Sequence, residues 1–117
     1  MSYIDGYLIP IKKKKVAAYK KMAMLGKKIW MEHGAVQYFE SVGTKLDNPW
    51  GLGFKKMCKL KADETVIFAF VIYKSKAQRD KVTKKVMTDP RMKMEGFEMP
   101  FDMKRFSSGE FKVIVEG

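Results

Sequence analysis

The chain holds one histidine and one cysteine, and only three of its twenty-four basic residues are arginine (Arg79, Arg91 and Arg105), so any chemistry must be built from few groups. His33 follows Glu32 without the spacing of a zinc-binding HExxH helix, and a single histidine cannot make a multi-histidine metal site. Two functional roles suit it: an acid–base group facing a pocket, or one ligand to a haem iron. The alternative is a residue at a helix end that gains from the helix dipole. Glu40 is more unusual, because it alternates with Val36, Tyr38 and Val42 along one strand face. A carboxyl among such neighbours has its pKa raised by burial unless a cation balances it. Arg79, on the inward face of a helix, is the nearest plausible cation. Together Arg79 and Glu40 could bind or polarise a small anionic or carbonyl ligand. Otherwise Arg79 pairs with Asp80, Asp89 or a backbone carbonyl and locks its helix.

Other candidates are weaker. Met92, Met94, Met99 and Met103 could offer thioethers to Cu(I), with Cys58 joining them, but methionine usually fills gaps in a core. No metal and no cofactor is expected. Gly51-Leu52-Gly53 lacks the lysine of a phosphate loop and reads as a turn. Cys58 is a reactive thiol only if Lys56, Lys59 and Lys61 lower its pKa.

The elements that must position these groups follow from hydrophobic period. Tyr3 to Ile11 reads as a strand. Lys13 to Glu32 reads as a helix with Val16, Tyr19, Met22, Ala23, Ile29 and Trp30 on one side and Lys20, Lys21, Lys27 and Lys28 on the other. Gly26 falls on the buried side, where it permits close contact with a sheet, and Gly34 ends the helix. Ala35 to Gly43 is a second strand and Thr65 to Tyr73 a third. Ser75 caps a helix running to about Met87, with Arg79, Val82, Val86 and Met87 inward, and Asp89-Pro90 ends it. The last strand lies between Phe106 and Glu116, where Phe111, Val113 and Val115 alternate with polar residues. The order is β-α-β-β-α-β, a ferredoxin-like α+β domain spanning residues 1–117 with an antiparallel sheet and both helices on one face. Between the second and third strands, Thr44 to Glu64 is too long for a hairpin. Trp50, Phe54 and Met57 in it are expected to fold back as a lid.

Strand three adds a further expectation. Val66, Phe68, Phe70 and Ile72 point one way, and Ile67, Ala69, Val71 and Tyr73 the other, so neither face shows the polar alternation of a half-wet sheet. If the helices cover one face, a second copy of the chain must cover the other, which makes a homodimer.

With 117 residues and 46% hydrophobic content, the chain can bury a real core. Its apolar N-terminal stretch precedes its lysines, the reverse of a secretory signal. The lone cysteine suits a reducing compartment, so a cytoplasmic location is expected, with no membrane partner. A net charge of +11 attracts polyanions, but it rests on dispersed lysines rather than on the arginine forks that read phosphates and bases. Nucleic acid is therefore an unfavoured partner.

The segments DGYLIPI, EHGAVQYFESVG, ETVIFAFVIYKSKAQRD, KVMTDPRM and MPFDMKR resemble, in order, those of the bacterial family DUF1428. That resemblance implies a dimeric α/β-barrel domain, ferredoxin-like in each subunit, and no activity. Related barrels host unrelated chemistries, so fold alone transfers none. The chain departs from the family pattern in its connector (TKLDNPWGLGFKK), at Thr83 in place of a usual asparagine, and between Met103 and Gly109.

Two functions from different classes remain. One is a small molecule held in a pocket between the sheet, the helices and the 44–64 loop, with Trp30, His33, Tyr38, Glu40, Trp50 and Arg79 as candidate binding residues and Phe68 and Phe70 adding aromatic walls. The other is a basic interaction module that binds a polyanion such as RNA. Whether the protein is an enzyme stays open.

Overall fold

The computed structural model describes residues 1–92 and 98–117. Four strands, β1 (Tyr3–Lys12), β2 (Gln37–Val42), β3 (Glu64–Tyr73) and β4 (Ser107–Lys112), form one antiparallel sheet in the order β2-β3-β1-β4. Helix α1 (Val16–Glu32) joins β1 to β2, and α3 (Lys76–Met87) follows β3. Between them lies a single turn of helix, α2 (Phe54–Met57), within the long connector. This is the strand order of a split β-α-β unit, and the sheet direction agrees at every pairing.

β1 and β3 are paired throughout, from Tyr3 opposite Tyr73 to Lys12 opposite Glu64. The strand period of two then sorts every side chain. Asp5, Tyr7, Ile9 and Ile11 share a face with Ile67, Ala69, Val71 and Tyr73, and with Tyr38 and Glu40 of β2. Both helices pack on this face. Ile9, Ile11, Ile67 and Ala69 form one core cluster with Tyr19 and Ala23 of α1. Ile29, Ala35, Val71 and Tyr73 form another with Val82 and Val86 of α3. Burying each such aliphatic side chain contributes about 1.5–3 kcal/mol before chain entropy is counted.

The helix boundaries have local causes. Ser75 accepts a hydrogen bond from the Gln78 backbone N–H at 3.1 Å and caps α3, an interaction typically worth ~1 kcal/mol. Gly34, at φ 114°, takes the left-handed conformation that ends α1. Gly26 sits where a β-carbon would lie 3.0 Å from the Tyr38 hydroxyl, a tight contact that any larger residue could make only if the phenol shifted, so glycine eases the approach of α1 to β2. The last strand is shorter than its sequence pattern suggests. It stops at Lys112, and Val113 and Val115 lie beyond it, although the Val113 N–H still reaches the Ser2 carbonyl at 3.1 Å.

The opposite sheet face carries Ile4, Leu8 and Pro10 with Phe39, Val66, Phe68, Phe70, Ile72 and Phe111. The connector covers one end of it: α2 touches β3, and Val66 and Pro10 there are fully buried. The remainder is open, with Phe68 45% and Phe111 57% exposed and the Phe39 ring stacked on Phe70 at 4.7 Å. Among the described residues, no helix is long and apolar enough to cross a membrane.

Candidate functional site

Between α1 and the sheet lies a cavity of about 370 Å³, within the range of small-molecule sites. Its floor is Tyr7 and Ile9 of β1 with Ala69 and Val71 of β3, and its α1 wall includes Tyr19, Met22, Gly26 and Trp30. Tyr38 and Glu40 enter from β2. The far wall is made by Met87, Met92, Met99, Phe101 and Phe106, from the end of α3 and the segment leading to β4. Phe101 stacks on Phe106 at 5.7 Å and meets Tyr19 edge-on at 5.9 Å. Trp30 lies 6.0 Å from Tyr38.

Glu40 is the only charged side chain on this wall among the described residues. Its two oxygens are held separately: Tyr19 Oη donates to Oε1 at 2.6 Å and Tyr38 Oη donates to Oε2 at 2.8 Å. Burial raises the Glu40 pKa, and the two phenolic hydrogen bonds pull it partly back by stabilising the anion. Both phenols are pushed well above the usual tyrosine range, by burial first and then by the adjacent carboxylate. Burial likewise pushes Tyr7 up to about 12. The phenols therefore stay protonated and act as donors, and Glu40 is the group whose charge a change of pH alters first. Tyr19, Ala23, Tyr38 and Glu40 also line a second, outer groove of about 420 Å³ that carries Lys20, Lys27 and Ser41. The carboxylate and its phenols are thus a partition between the inner cavity and a basic groove.

Arg79 does not partner Glu40. Its Nε donates to both oxygens of Asp5 at 3.1 Å, and its Nη1 donates to Asp80 at 3.2 Å. Asp5 is buried on the helix face of β1 and also accepts from Tyr73 Oη at 3.1 Å. Tyr73 Oη in turn accepts from Trp30 Nε1 at 3.2 Å. A chain of hydrogen bonds therefore runs from Arg79 through Asp5 and Tyr73 to the indole in the cavity wall. The arginine is thus linked to Trp30 through Asp5 and Tyr73. Asp5 is legible in the sequence only once the register is known: in DGYLIPI it shares its face with Tyr7, Ile9 and Ile11, an acid in an apolar row.

His33 is also elsewhere. Its Nε2 lies 2.8 Å from Asp89 Oδ2, Arg91 Nη2 bonds the same oxygen at 2.8 Å, and Arg91 reaches Glu32 at 2.7 Å. The cluster ties the end of α1 to the end of α3, and first Arg91 and then His33 hold the Asp89 carboxyl far below its usual range. The imidazole neither lines the cavity nor caps helix carbonyls, since the backbone N–H of His33 makes the cap to Ile29.

The connector is not a roof for the cavity. None of its described residues lines the cavity; Trp50 is 93% exposed, and Phe54 and Met57 are exposed as well. The roof comes from the methionine-rich segment, where Met92 and Met99 fill the wall, Met103 is exposed and Met94 lies outside the described residues. Phe68 and Phe70 face the opposite side of the sheet, because β3 sends alternate residues to opposite faces. Burial pushes the Cys58 thiol up despite Arg105, contrary to what an activated thiol needs.

The family model described as "Protein of unknown function (DUF1428)" matches residues 2–103. The chain belongs to the DUF1428 family. Within it, the "Uncharacterized protein YbaA" of Escherichia coli K12 is 34% identical over 116 residues, covering 99% of each chain. The protein of that name in Shigella flexneri matches at the same 34% identity and 99% coverage. The computed fold overlaps the de novo designed protein Foldit4 over 97% of this chain and 99% of that one, at 9% identity and a TM-score of 0.47, too loose to carry an argument. In DUF1428 terms, the family match takes in β1 to β3, both long helices and the cavity residues up to Phe101.

Proposed function

We propose that this protein binds a small, largely apolar molecule in the cavity between α1, α3 and the sheet. One observation carries the proposal: a space of about 370 Å³ with aromatic and methionine walls converges on a single carboxyl group held by two phenols. Apolar walls supply affinity by removing ligand surface from water, and one placed polar group supplies orientation. The side chains that build it are oriented by hydrogen bonds within the protein, so the site is ready before the ligand arrives. Native mass spectrometry of protein taken directly from cells is the test, with retention of a discrete small molecule expected. Loss of that molecule on Trp30→Ala, with the fold intact, places it in the cavity. Protein that carries nothing, and that binds no apolar probe, refutes the proposal.

The open sheet face supports a homodimer of the barrel type. Among the described residues, the face bears no charge from Ile4 to Leu8 in β1, from Gln37 to Ser41 in β2, from Val66 to Ile72 in β3 or from Ser107 to Phe111 in β4, although the chain carries +11. A face left to water would be expected to share that charge. A face with three exposed phenylalanines and no lysine suits a second copy of itself, not a phosphate backbone. The polyanion reading finds its support elsewhere, in a connector cleft where Lys45, Lys55, Lys56 and Lys59 gather close in sequence to the exposed Trp50. Sub-micromolar RNA affinity at near-physiological salt, lost on substitution of those lysines, would establish it.

A further inference from the structure

We propose that the ligand of this cavity carries a protonated amine, and that the Glu40 carboxylate is its counter-ion. The inference rests on the small-molecule reading above and names the chemistry of the head group. Three observations lead to it.

Among the described residues, the carboxylate has hydrogen-bond donors but no cation bonded to it. Tyr19 and Tyr38 each give one O–H, and the nearest arginine by expectation, Arg79, is committed to Asp5 and Asp80. Each carboxylate oxygen accepts one phenolic hydrogen and retains capacity for a second bond. The walls are also suited to a cation. Tyr7, Trp30, Tyr38, Phe101 and Phe106 turn a large area of aromatic surface to the cavity, and aromatic faces attract ammonium groups once water is removed. Finally, the alternatives fit less well. A ligand carboxylate or phosphate would face Glu40 across a low-dielectric space with no cation in the lining among the described residues to offset the repulsion. A neutral ligand would leave the half-buried carboxylate without a counter-charge. An alkyl ammonium satisfies the lone pairs, the charge and the aromatic walls together.

The groups facing Glu40 are Tyr19 from α1, Tyr38 from β2 and Tyr7 from β1, with Lys20 and Lys27 of α1 along the outer groove and the non-titrating Ala69 opposite it on β3. Since the phenols stay protonated, loss of charge on Glu40 governs the acid side of binding. A raised Glu40 pKa brings that loss closer to neutrality.

Isothermal titration of the full chain with hexylamine, hexanol and hexanoate, equal in chain length and different in head group, tests this. Hexylamine should bind at least ~10-fold more tightly than hexanol, the factor that about 1.4 kcal/mol produces, and hexanoate most weakly. Glu40→Gln removes the charge, keeps one acceptor oxygen for one phenol and offers an amide N–H to the oxygen of the other; it should bring hexylamine down to the level of hexanol. If that variant fails to fold, the wild-type protein still decides. As pH falls from neutral into the acid range hexylamine affinity should fall while hexanol affinity stays level, because only the amine uses the Glu40 anion. Equal affinities for the three head groups, or a preference for hexanoate, overturn the amine inference and leave the cavity as a binding site. Failure of all three to bind overturns the cavity reading with it.

Discussion

Removing the guanidinium with Arg79→Met isolates the energy of one buried carboxylate. Asp5 is 4% exposed and takes three hydrogen bonds, two from Arg79 Nε and one from Tyr73 Oη. The substitution leaves only the tyrosine bond and no opposite charge. Breaking one partner out of a fully buried ion pair costs about 3–5 kcal/mol. Arg79 is not fully buried, with 23% of its side chain exposed, and it also serves Asp80 and Glu110 at the surface. Water can therefore reach part of the vacated space, which reduces the expected loss to about 2–3 kcal/mol. At roughly 2.1 cal/mol/K of unfolding entropy per residue, a chain of this length should lose about 8–12 °C in Tm. Differential scanning calorimetry reads that shift. Asp5→Asn in the same chain should recover part of it, since a neutral amide tolerates the missing cation. The indole should respond too: in a Trp50→Phe background Trp30 is the only fluorophore of its type, and its emission should shift as Asp5, the acceptor of Tyr73, loses the guanidinium that fixes it. A Tm within about 2 °C of wild type, with no recovery in the double variant, would show that the Arg79–Asp5 pair is solvated and that nothing buried holds Trp30.

Phe68→Lys places a charge in the middle of the open face and should convert a species of about 27 kDa, twice the chain mass of 13.6 kDa, into monomer, as read by light scattering after size exclusion. A wild-type chain that is already monomeric at low micromolar concentration would refute the homodimer. The Thr83 hydroxyl has no hydrogen-bond partner among the described residues, so the isosteric Thr83→Val should raise stability by up to ~1 kcal/mol in chemical denaturation, and a loss would mean that a bound water satisfies it. Arg105 donates to Glu64 at 2.9 Å through Nη1 and again through Nη2, and holds the Glu64 carboxyl down to about 2. A depressed carboxyl contributes stability above its unfolded pKa and loses it as pH falls toward the folded value. Arg105→Met should accordingly lower stability near neutrality by about 1.5–3 kcal/mol and flatten its decline between about pH 4 and about pH 2. An acid limb as steep as that of wild type would refute the assignment.

The sequence by itself determined the elements and the faces, because both are written in period. The 3.6-residue pattern placed Tyr19, Ala23 and Ile29 inward on α1, and the two-residue pattern put Tyr38 and Glu40 together on β2. Ser75 and Gly34 marked helix ends through chemistry confined to a few neighbours. The apolar character of the open face was legible too, since β3 shows no polar alternation on either side. Partners were a different matter. Arg79 does pair with its neighbour Asp80, as the sequence allowed, but its buried partner is Asp5, seventy-four residues away, because the fold brings that acid of β1 beneath α3. Glu40 was visible as an acid in an apolar row, but its two phenols come from different elements and meet where Gly26 eases the approach of α1 to β2. The roof of the cavity, too, was decided in three dimensions: the methionine-rich segment closes over the helix face while the connector turns to the other side of the sheet. Periodicity is local and survives in the order of residues. Which charge meets which, and which loop covers which face, depends on register and crossover, and those exist only in the folded chain.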